Sequence, residues 1–364
     1  PQDVAPGDVL LLNDGAITMR VDEVAGTRVH CTVLIGGALS NRKGINKQGG
    51  GLSAAALTDK DKADIRIAVA LDVDFIAVSF PRSATDMHEA RELVRAAGGD
   101  CFLVAKIERA DALPVLHEIV AASDVVMVAR GDLGVEIGDA ELPGWQKRII
   151  AESLEQNKLV ITATQMMESM INSPIPTRAE VLDVANAVMD GTDAVMLSAE
   201  TAVGRYPVKV VEAMARVCVG AEAASPALHR RSVRFDAHFE HTDEAIAMAT
   251  AWTAGHMHAR AILAMTESGA TAMMMSRSET RIPIYALTPH ERTRRRMALC
   301  RGVYPIAFES NTEGAPGLVK TLEAIECLKY RGVVADGDRV LVTKGDGVCS
   351  GGTNTMKIMM VGET

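Results

Sequence analysis

The sequence predicts an α/β protein whose largest part is a (β/α)8 TIM barrel. Five apolar runs end in polar residues, and each is followed by helical periodicity, which is the βα alternation of a parallel sheet. A closed barrel needs eight strands, and its C-terminal strand ends gather polar residues on one face. We therefore expect five βα units in this chain, with the chemistry at that face. The runs are 75–80, 101–108, 124–130, 159–166 and 194–200.

Residues 1–51 show the short alternating runs typical of β-strands. An apolar run at 9–12, the turn Asn13-Asp14-Gly15 and a second run at 16–21 predict a β-hairpin, and 29–35 predicts a further strand. Glycines at 36–37 and 49–51 bracket a polar stretch that suits either a hinge or a plain surface loop. We expect residues 1–51 to form part of a small β domain, which needs further strands or another domain for stability.

Capping signals and a change of pattern divide the rest of the chain. Thr58, Ser83 and Thr177 each precede an acidic residue at the capping-box spacing, which predicts helix starts inside a barrel domain at 52–224. The pattern lapses between 225 and 240, and a new α/β set begins after Thr242. This set predicts a C-terminal α/β domain at 225–364, with helices at 243–255, after Gly269 and through the 290s, and strands at 261–265, 284–287, 339–343 and 356–361.

Composition and charge exclude several classes of protein. The 364 residues are 48% hydrophobic and 23% charged with a net charge of −9, which disfavours nucleic-acid binding and suits a site for cations. The six cysteines have no metal-finger spacing, which predicts reduced thiols in a cytoplasmic protein. No run approaches the roughly 18 apolar residues of a membrane span, so we expect no membrane partner.

The ends of the second and third runs carry the strongest candidate site. Lys106 and Glu108 are two residues apart, so on a strand their side chains face the same way. Asp132 follows the next run, and two carboxylates of this kind are hard oxygen ligands suited to Mg²⁺. Lys106 beside them could neutralise a transferring phosphoryl group. The alternative is a set of solvated charges of little energetic weight.

Small hydroxyl and glycine segments follow other strands. Residues 131–134 could present backbone N–H groups to an anion or form only a tight turn. Thr164, Ser198 and Glu200 could relay a proton or serve as helix caps. Residues 266–271 could grip a phosphate, although Ser268 alone could cap the following helix.

Several long motifs resemble the signatures of the pyruvate kinase family. They are VAKIE at 104–108, MVARGDLG at 127–134, ATQMMESM at 163–170, PTRAEVLDVANAVMDG at 176–191 and MLSAET at 196–201. The resemblance covers nearly the whole chain and implies phosphoryl transfer from phosphoenolpyruvate to ADP, with Mg²⁺ or Mn²⁺ and with K⁺. It also implies a homotetramer of the bacterial branch that a sugar monophosphate or AMP activates.

The same resemblance implies roles for particular residues. Glu108 and Asp132 would hold the metal, and Lys106 would stabilise the phosphoryl transition state. Thr164, with Ser198 and Glu200, would help to protonate the enolate. The implied substrate-binding residues are Ala129, Arg130, Gly131, Asp132 and Thr164. The implied effector site comprises Thr266, Glu267, Ser268, Gly269, Ala270, Thr271, Gly352, Thr353 and Asn354, within loops at 266–271 and 351–355.

The chain departs from the family in one respect, because family members begin well before Pro1. The family's preceding part supplies three barrel strands, a phosphate-binding arginine, the K⁺ ligands and half of the lid. We therefore expect a truncated sequence, and a product of residues 1–364 alone that aggregates or stays molten and inactive. Two other functions remain open at this point: a Mg²⁺-dependent barrel lyase or aldolase acting on a 2-oxo acid, and a phosphometabolite-binding module without catalysis.

Overall fold

A computed structural model gives the structure of the chain at residues 1–13, 15–41, 43–224, 239–278, 280–310, 317–345 and 352–363. The chain divides into two compact units, Pro1–Pro226 and Ala227–Thr364. Most of the predicted change of pattern at 225–240 lies outside the described residues, and so does Gly351 of the predicted effector loop. Among the described helices, none has the length and apolar character needed to cross a bilayer.

The first unit begins with an antiparallel sheet of four strands in the order β3-β2-β1-β4. Leu12 of β1 lies opposite Ile17 of β2, which confirms the predicted hairpin. The fourth strand falls in the stretch predicted as a hinge or loop, and it closes the other side of β1. The strands are β1 Val9–Leu12, β2 Ile17–Ala25, β3 Arg28–Ile35 and β4 Ile45–Lys47.

Three consecutive glycines follow β4 in a conformation that other residues rarely adopt. Gly49, Gly50 and Gly51 have φ of +83°, +80° and +92°. The Gly51 N–H donates to Asp111 Oδ2 at 3.2 Å, and the Gly49 N–H donates to the Glu136 carbonyl at 2.9 Å. A Cβ at Gly50 would lie 2.8 Å from Asp111 Oδ1. The glycine run is therefore required both by its dihedral angles and by the close approach of Asp111.

We expect Gly50→Ala to lower the free energy of unfolding by about 1–3 kcal/mol, because it adds backbone strain and a steric clash. Urea denaturation at fixed protein concentration measures the change. Gly44→Ala is the matched control, because a Cβ there meets nothing within 4 Å and its φ is not positive. Equal losses in the two variants would show that the glycine run has no special conformational role.

The rest of the first unit is built on a sheet of five parallel strands in sequence order. Each strand lies within one of the five predicted runs, which confirms the βα organisation of this segment. The middle strands are almost completely buried, as expected where helices cover a parallel sheet. The strands are β5 Phe75–Val78, β6 Phe102–Ile107, β7 Val125–Ala129, β8 Leu159–Ala163 and β9 Ala194–Met196.

Helices follow the strands and begin at the predicted capping residues. Thr58 and Thr177 each accept from the backbone N–H three residues later and complete a capping box, and a further helix starts after Ser83. The helices are α1 Asp59–Ala70, α2 Ala84–Ala96, α3 Leu116–Ala122, α4 Arg130–Ile137, α5 Leu142–Glu155, α6 Arg178–Asp190, α7 Ala199–Ala202 and α8 Pro207–Ala224, with 3₁₀ turns at Ala110–Ala112 and Glu168–Ile171.

The second unit has one five-stranded sheet in the order β12-β11-β10-β13-β14, in which only β14 is antiparallel to its neighbour. Strand β12 and helix α12 are additions to the predicted set. The described elements are α9 Thr242–His256, β10 Ala261–Met265, α10 Ala270–Arg277, β11 Ile284–Thr288, α11 Glu291–Met297, β12 Val303–Ala307, α12 Gly317–Tyr330, β13 Arg339–Lys344 and β14 Thr355–Met360.

Candidate active site

The C-terminal ends of β6 to β9 bring the predicted site residues to one edge of the parallel sheet. Lys106 lies opposite Met127 of β7, and Ala129 at the end of β7 lies opposite Ala163 of β8. Glu108 immediately follows β6, and Thr164 immediately follows β8. Since parallel strands end at the same edge, the topology alone gathers these polar groups.

Lys106 and Glu108 form a close ion pair at this edge. Lys106 Nζ lies 2.5 Å from Glu108 Oε1, with the Lys106 side chain 26% exposed and that of Glu108 only 2% exposed. Burial raises the pKa of Glu108, which the Lys106 ammonium and a backbone N–H of Phe80 oppose, while the negative charge of Asp132 raises that pKa further. The second predicted carboxylate therefore acts electrostatically on the first.

This pair of carboxylates fits a hard divalent cation. Within the part of the chain that the structure describes, no three or more His, Cys, Asp or Glu side chains cluster in a way that could hold a metal. A site with only Glu108 and Asp132 as protein ligands suits Mg²⁺, which usually keeps waters and substrate oxygens in its other positions. A cation between them would also offset the burial of Glu108 and the repulsion from Asp132.

Two residues absent from the sequence prediction belong to the same site. Ser79 and Phe80 follow β5, and the ammonium of Lys106 donates to Ser79 Oγ at 2.9 Å. The backbone N–H of Phe80 donates to Glu108 Oε2 at 2.9 Å. The sequence signal that could have identified them is that run 75–80, like the other four runs, ends at the C-terminal edge of the parallel sheet.

Thr164 has an unusual backbone conformation and links two strand ends. The φ of Thr164 is +67°, which is strained for a β-branched residue, and the φ of the next residue, Gln165, is +54°. The Thr164 hydroxyl accepts from the Gly131 N–H at 2.8 Å and donates to the Ala163 carbonyl at 2.6 Å. Thr164 is thereby fixed against the start of α4, beside Asp132.

The guanidinium of Arg130 is directed at the protein's own groups. Arg130 is 6% exposed, and its Nη1 donates to both carboxylate oxygens of Asp183 at 2.7 and 2.8 Å. Its Nη2 donates to the Thr164 carbonyl at 2.6 Å. The predicted contact of Arg130 with substrate remains a prediction, whereas these bonds give it a visible part in holding the strained Thr164.

We expect Asp183→Asn to lower kcat/KM by about tenfold, because it removes the partner that holds the buried Arg130 and thus loosens Thr164. Steady-state kinetics of the variant and the parent measure the effect. Asp190→Asn is the matched control, since Asp190 lies on the same helix and pairs with Lys147. A similar loss in both variants would show that helix α6 is merely sensitive to lost charge.

Ser198 and Glu200 follow β9, and the Glu200 carboxylate is held by two backbone N–H groups. Glu200 is 2% exposed, and its oxygens accept from the Met167 N–H at 3.2 Å and the Ser198 N–H at 2.6 Å. The first of these bonds ties the segment after β8 to α7 and the second holds the backbone of Ser198, the N-cap residue, whose own side chain makes no capping bond. Their predicted part in proton transfer stays a prediction.

The second unit brings the two predicted effector loops together. The buried hydroxyl of Thr271 lies 2.6 Å from that of Thr353, which joins the start of α10 to the 352–354 segment. Within the first loop, Gly269 has φ +87°, and its N–H donates to Thr266 Oγ1 at 2.9 Å. Ser268 Oγ accepts from the next helix N–H at 3.4 Å.

The first loop is also held by Thr293 of α11 and by His290, the N-cap residue of that helix. Thr293 Oγ1 donates to the Glu267 carbonyl at 2.8 Å, and His290 Nε2 lies 2.5 Å from Glu267 Oε2. Of the predicted effector residues, Gly352 and Asn354 flank Thr353, and Ala270 opens α10. Of the predicted segment 266–271, residues 266–269 therefore form the loop between β10 and α10, and residues 270–271 begin the helix.

Comparisons with known proteins agree with this architecture. The family model described as the pyruvate kinase barrel domain matches residues 1–211, and that of the pyruvate kinase alpha/beta domain matches residues 244–359. Pyruvate kinase II of Salmonella typhimurium is 55% identical over 366 residues, which cover 99% of this chain and 75% of that protein. The pyruvate kinases of Haemophilus influenzae and Thermotoga maritima are 52% and 40% identical, with 99% of this chain covered in each case and 75% and 76% of those proteins.

The fold and these matches define the protein as a phosphotransferase with a barrel domain and an α/β C-terminal domain. The chain belongs to the pyruvate kinase family. Its reaction is phosphoryl transfer from phosphoenolpyruvate to ADP, which gives pyruvate and ATP. The predicted function is confirmed over the lyase and the binding-module alternatives.

Proposed function

We propose that the strand-end cluster of the first unit is the phosphoryl-transfer centre, with Lys106 stabilising the transferring phosphoryl group. The observation that carries this is the ion pair at 2.5 Å between Lys106 and the almost fully buried Glu108. A cation held at a buried site interacts with developing negative charge more strongly than it would in water. The partial exposure of Lys106 leaves its ammonium reachable by a substrate.

Glu108 and Asp132 are the proposed ligands of Mg²⁺ or Mn²⁺. Members of the family generally use Mg²⁺ and K⁺, and both are proposed here as cofactors. The divalent cation supplies positive charge that neutralises the phosphoryl oxygens and orients them for in-line transfer. Glu108 is suited to this role because its Oε2 is fixed by the Phe80 N–H and cannot turn freely.

The proposed seat for the substrate carboxylate is the start of α4. Ala129, Gly131 and Asp132 lie at this helix N-terminus, whose positive dipole end favours an anion. Thr164 lies beside it through the Gly131 N–H and is the proposed route, with Ser198 and Glu200, by which a proton reaches the enolate of pyruvate. The strained φ of Thr164 supports a functional position for this residue.

A coupled assay on the full-length protein tests the function directly. We expect pyruvate and ATP to form together from phosphoenolpyruvate and ADP, with an absolute requirement for a divalent cation. Cleavage of a C–C bond in a 2-oxo acid would instead support a lyase. Binding of phosphometabolites with no turnover would support a binding module.

The finer architecture is also a proposal. We propose a closed (β/α)8 barrel with a lid at 1–51, a catalytic domain at 52–224 and a regulatory domain at 225–364, assembled as a homotetramer. The parallel order of β5 to β9 and the separate antiparallel sheet of β1 to β4 support it. The proposed location is the cytoplasm, which the free thiols of the five described cysteines support.

We further propose that a sugar monophosphate or AMP binds between the loops at 266–271 and 352–354 and activates the enzyme. The hydrogen bond between Thr271 and Thr353 supports this, because it brings two hydroxyl-rich loops into contact. The N–H groups at the start of α10 add donors suited to a phosphomonoester. Activation would lower the apparent KM for phosphoenolpyruvate with little change in kcat.

We expect the double variant Thr266→Ala/Ser268→Ala to lose activation while it retains basal turnover. Coupling of about 1–3 kcal/mol, or about 5- to 150-fold in apparent KM, would disappear. Kinetics with and without effector measure it. Ser278→Ala, an exposed change at the end of α10, is the control and should respond fully. A full response by the double variant would place the pocket elsewhere.

A further inference from the structure

The two residues after β5 contact both charged groups of the proposed centre. Ser79 Oγ accepts from Lys106 Nζ at 2.9 Å, and the Phe80 N–H donates to Glu108 Oε2 at 2.9 Å. The dipeptide that follows the neighbouring strand β5 therefore contacts the Lys106 ammonium through one residue and the Glu108 carboxylate through the other. None of the motifs that carry the family resemblance includes residues 79–80.

The contact with Ser79 affects the direction of the lysine ammonium. A flexible lysine beside a buried carboxylate tends to close onto it, and here Nζ lies 2.5 Å from Glu108 Oε1. The Ser79 hydroxyl offers the ammonium a second, uncharged acceptor outside that carboxylate. With both partners, two of the three ammonium donors are fixed, and the direction of the third is set.

The contact with Phe80 depends on a backbone conformation that the residue type does not favour. The φ of Phe80 is +56°, and the next residue is the buried Pro81, which restricts the chain further. The Phe80 residue is 38% exposed, so deep burial of its ring does not account for the conformation. What the conformation provides is a main-chain N–H aimed at the buried carboxylate of Glu108.

We propose that the Ser79–Phe80 turn is a positioning element for the transfer centre. Ser79 orients the Lys106 ammonium through its hydroxyl, and Phe80 orients the Glu108 carboxylate through its backbone N–H. This inference rests on the proposed roles of Lys106 and Glu108. It assigns the two halves of the turn to different steps, with Ser79 serving transfer and Phe80 serving metal binding.

The role of Ser79 is tested by one substitution that removes the hydroxyl and one that keeps it. We expect Ser79→Ala to lower kcat by about tenfold, since it removes a hydrogen bond to a charged group, with the Kd for Mn²⁺ within about twofold of the parent. Ser79→Thr keeps a hydroxyl and should recover most of the lost kcat. Parental kcat in Ser79→Ala, or no recovery in Ser79→Thr, would overturn the assignment.

The Phe80 half is tested by two variants that both lack the ring but differ in backbone preference. Phe80→Gly allows positive φ, whereas Phe80→Val strongly disfavours it. Titration of Mn²⁺ without substrates, followed by electron paramagnetic resonance, should give a Kd near the parent's for glycine and about tenfold weaker for valine. Should the valine variant fail to fold, Phe80→Ala replaces it, and we expect its affinity for Mn²⁺ to be about fivefold weaker than the parent's. Equal affinities in the glycine and substituted variants, whether near parental or both weak, would overturn the proposal.

These outcomes are distinguishable from failure of the proposed function. If Lys106→Met loses most of its turnover and Glu108→Gln needs much more Mg²⁺, while the Ser79 and Phe80 variants behave like the parent, the centre stands and the positioning element falls. If Lys106→Met retains parental turnover, the proposed centre itself falls.

Discussion

We expect Lys106→Met to lower kcat by about 10³-fold at saturating substrates and Mg²⁺, because it would remove the charge that we propose acts on the transition state, an effect worth about 4 kcal/mol. Methionine keeps the unbranched stem, so packing of the chain is preserved. The Mg²⁺ concentration for half-maximal activity should stay within about threefold of the parent. A coupled assay for pyruvate measures both quantities.

Lys158→Met is the matched control for this change. Lys158 is a second partly buried lysine of the same unit, but it precedes β8 and donates to the Ala121 and Ser123 carbonyls at 3.1 and 2.7 Å. Burial lowers the pKa of Lys158, so its setting resembles a functional lysine without lying at the active edge. We expect its kcat to remain within about threefold of the parent. A Lys106 variant within tenfold of the parent would refute the role of that residue.

We expect Glu108→Gln to raise the Mg²⁺ concentration for half-maximal activity by more than about 30-fold, since a neutral amide would replace one of the two proposed carboxylate ligands. Glutamine has the same shape, and its amide oxygen can still accept from the Phe80 N–H. Asp132→Asn should raise the same concentration strongly, because it removes the other carboxylate. Mg²⁺ titrations of activity measure both effects.

Glu136→Gln is the matched control, because it tests whether the loss of any buried carboxylate raises the Mg²⁺ requirement. Glu136 is 3% exposed, burial raises its pKa as it does for Glu108, and it accepts from the Ala110 N–H at 2.8 Å. It lies on α4 four residues after Asp132, and its two oxygens accept from Asn46 and Ala110 and not from Lys106 or Phe80, so its replacement should affect stability and leave the Mg²⁺ titration unchanged. An unchanged titration in Glu108→Gln would refute the metal assignment.

Local periodicity accounts for what the sequence predicts well. The five parallel strands lie inside the predicted runs because each apolar run and its polar end are adjacent in the chain. The side-by-side placement of Lys106 and Glu108 follows from the two-residue period of a strand. The hairpin of β1 and β2 follows from its turn residues.

Interactions distant in sequence account for what was not predicted. The direction of the Arg130 guanidinium depends on Asp183, 53 residues later, and spacing cannot reveal such a pairing. The contacts of Ser79 and Phe80 likewise depend on a neighbouring strand and on a positive φ that the residue type disfavours. Both are properties of the assembled sheet.

Two elements of the second unit are absent from the sequence prediction for different reasons. Strand β12 contains Pro305, which argues against a central strand, and the structure places β12 at the sheet edge where proline is tolerated. Helix α12 does have helical spacing in the sequence, so a signal for it exists. Its buried residues are Thr321, Ala324, Ile325 and Leu328.

The central claim, that Lys106 acts on the transferring phosphoryl group, is tested most directly by a single-turnover quench measurement. Radiolabelled phosphoenolpyruvate is mixed with excess enzyme, ADP and Mg²⁺, and the label appearing in ATP is followed for the parent and Lys106→Met. We predict that the transfer step itself slows by about 10³-fold while the affinity for phosphoenolpyruvate changes by less than about fivefold. Transfer at the parental rate, with turnover limited only by product release, would contradict the account.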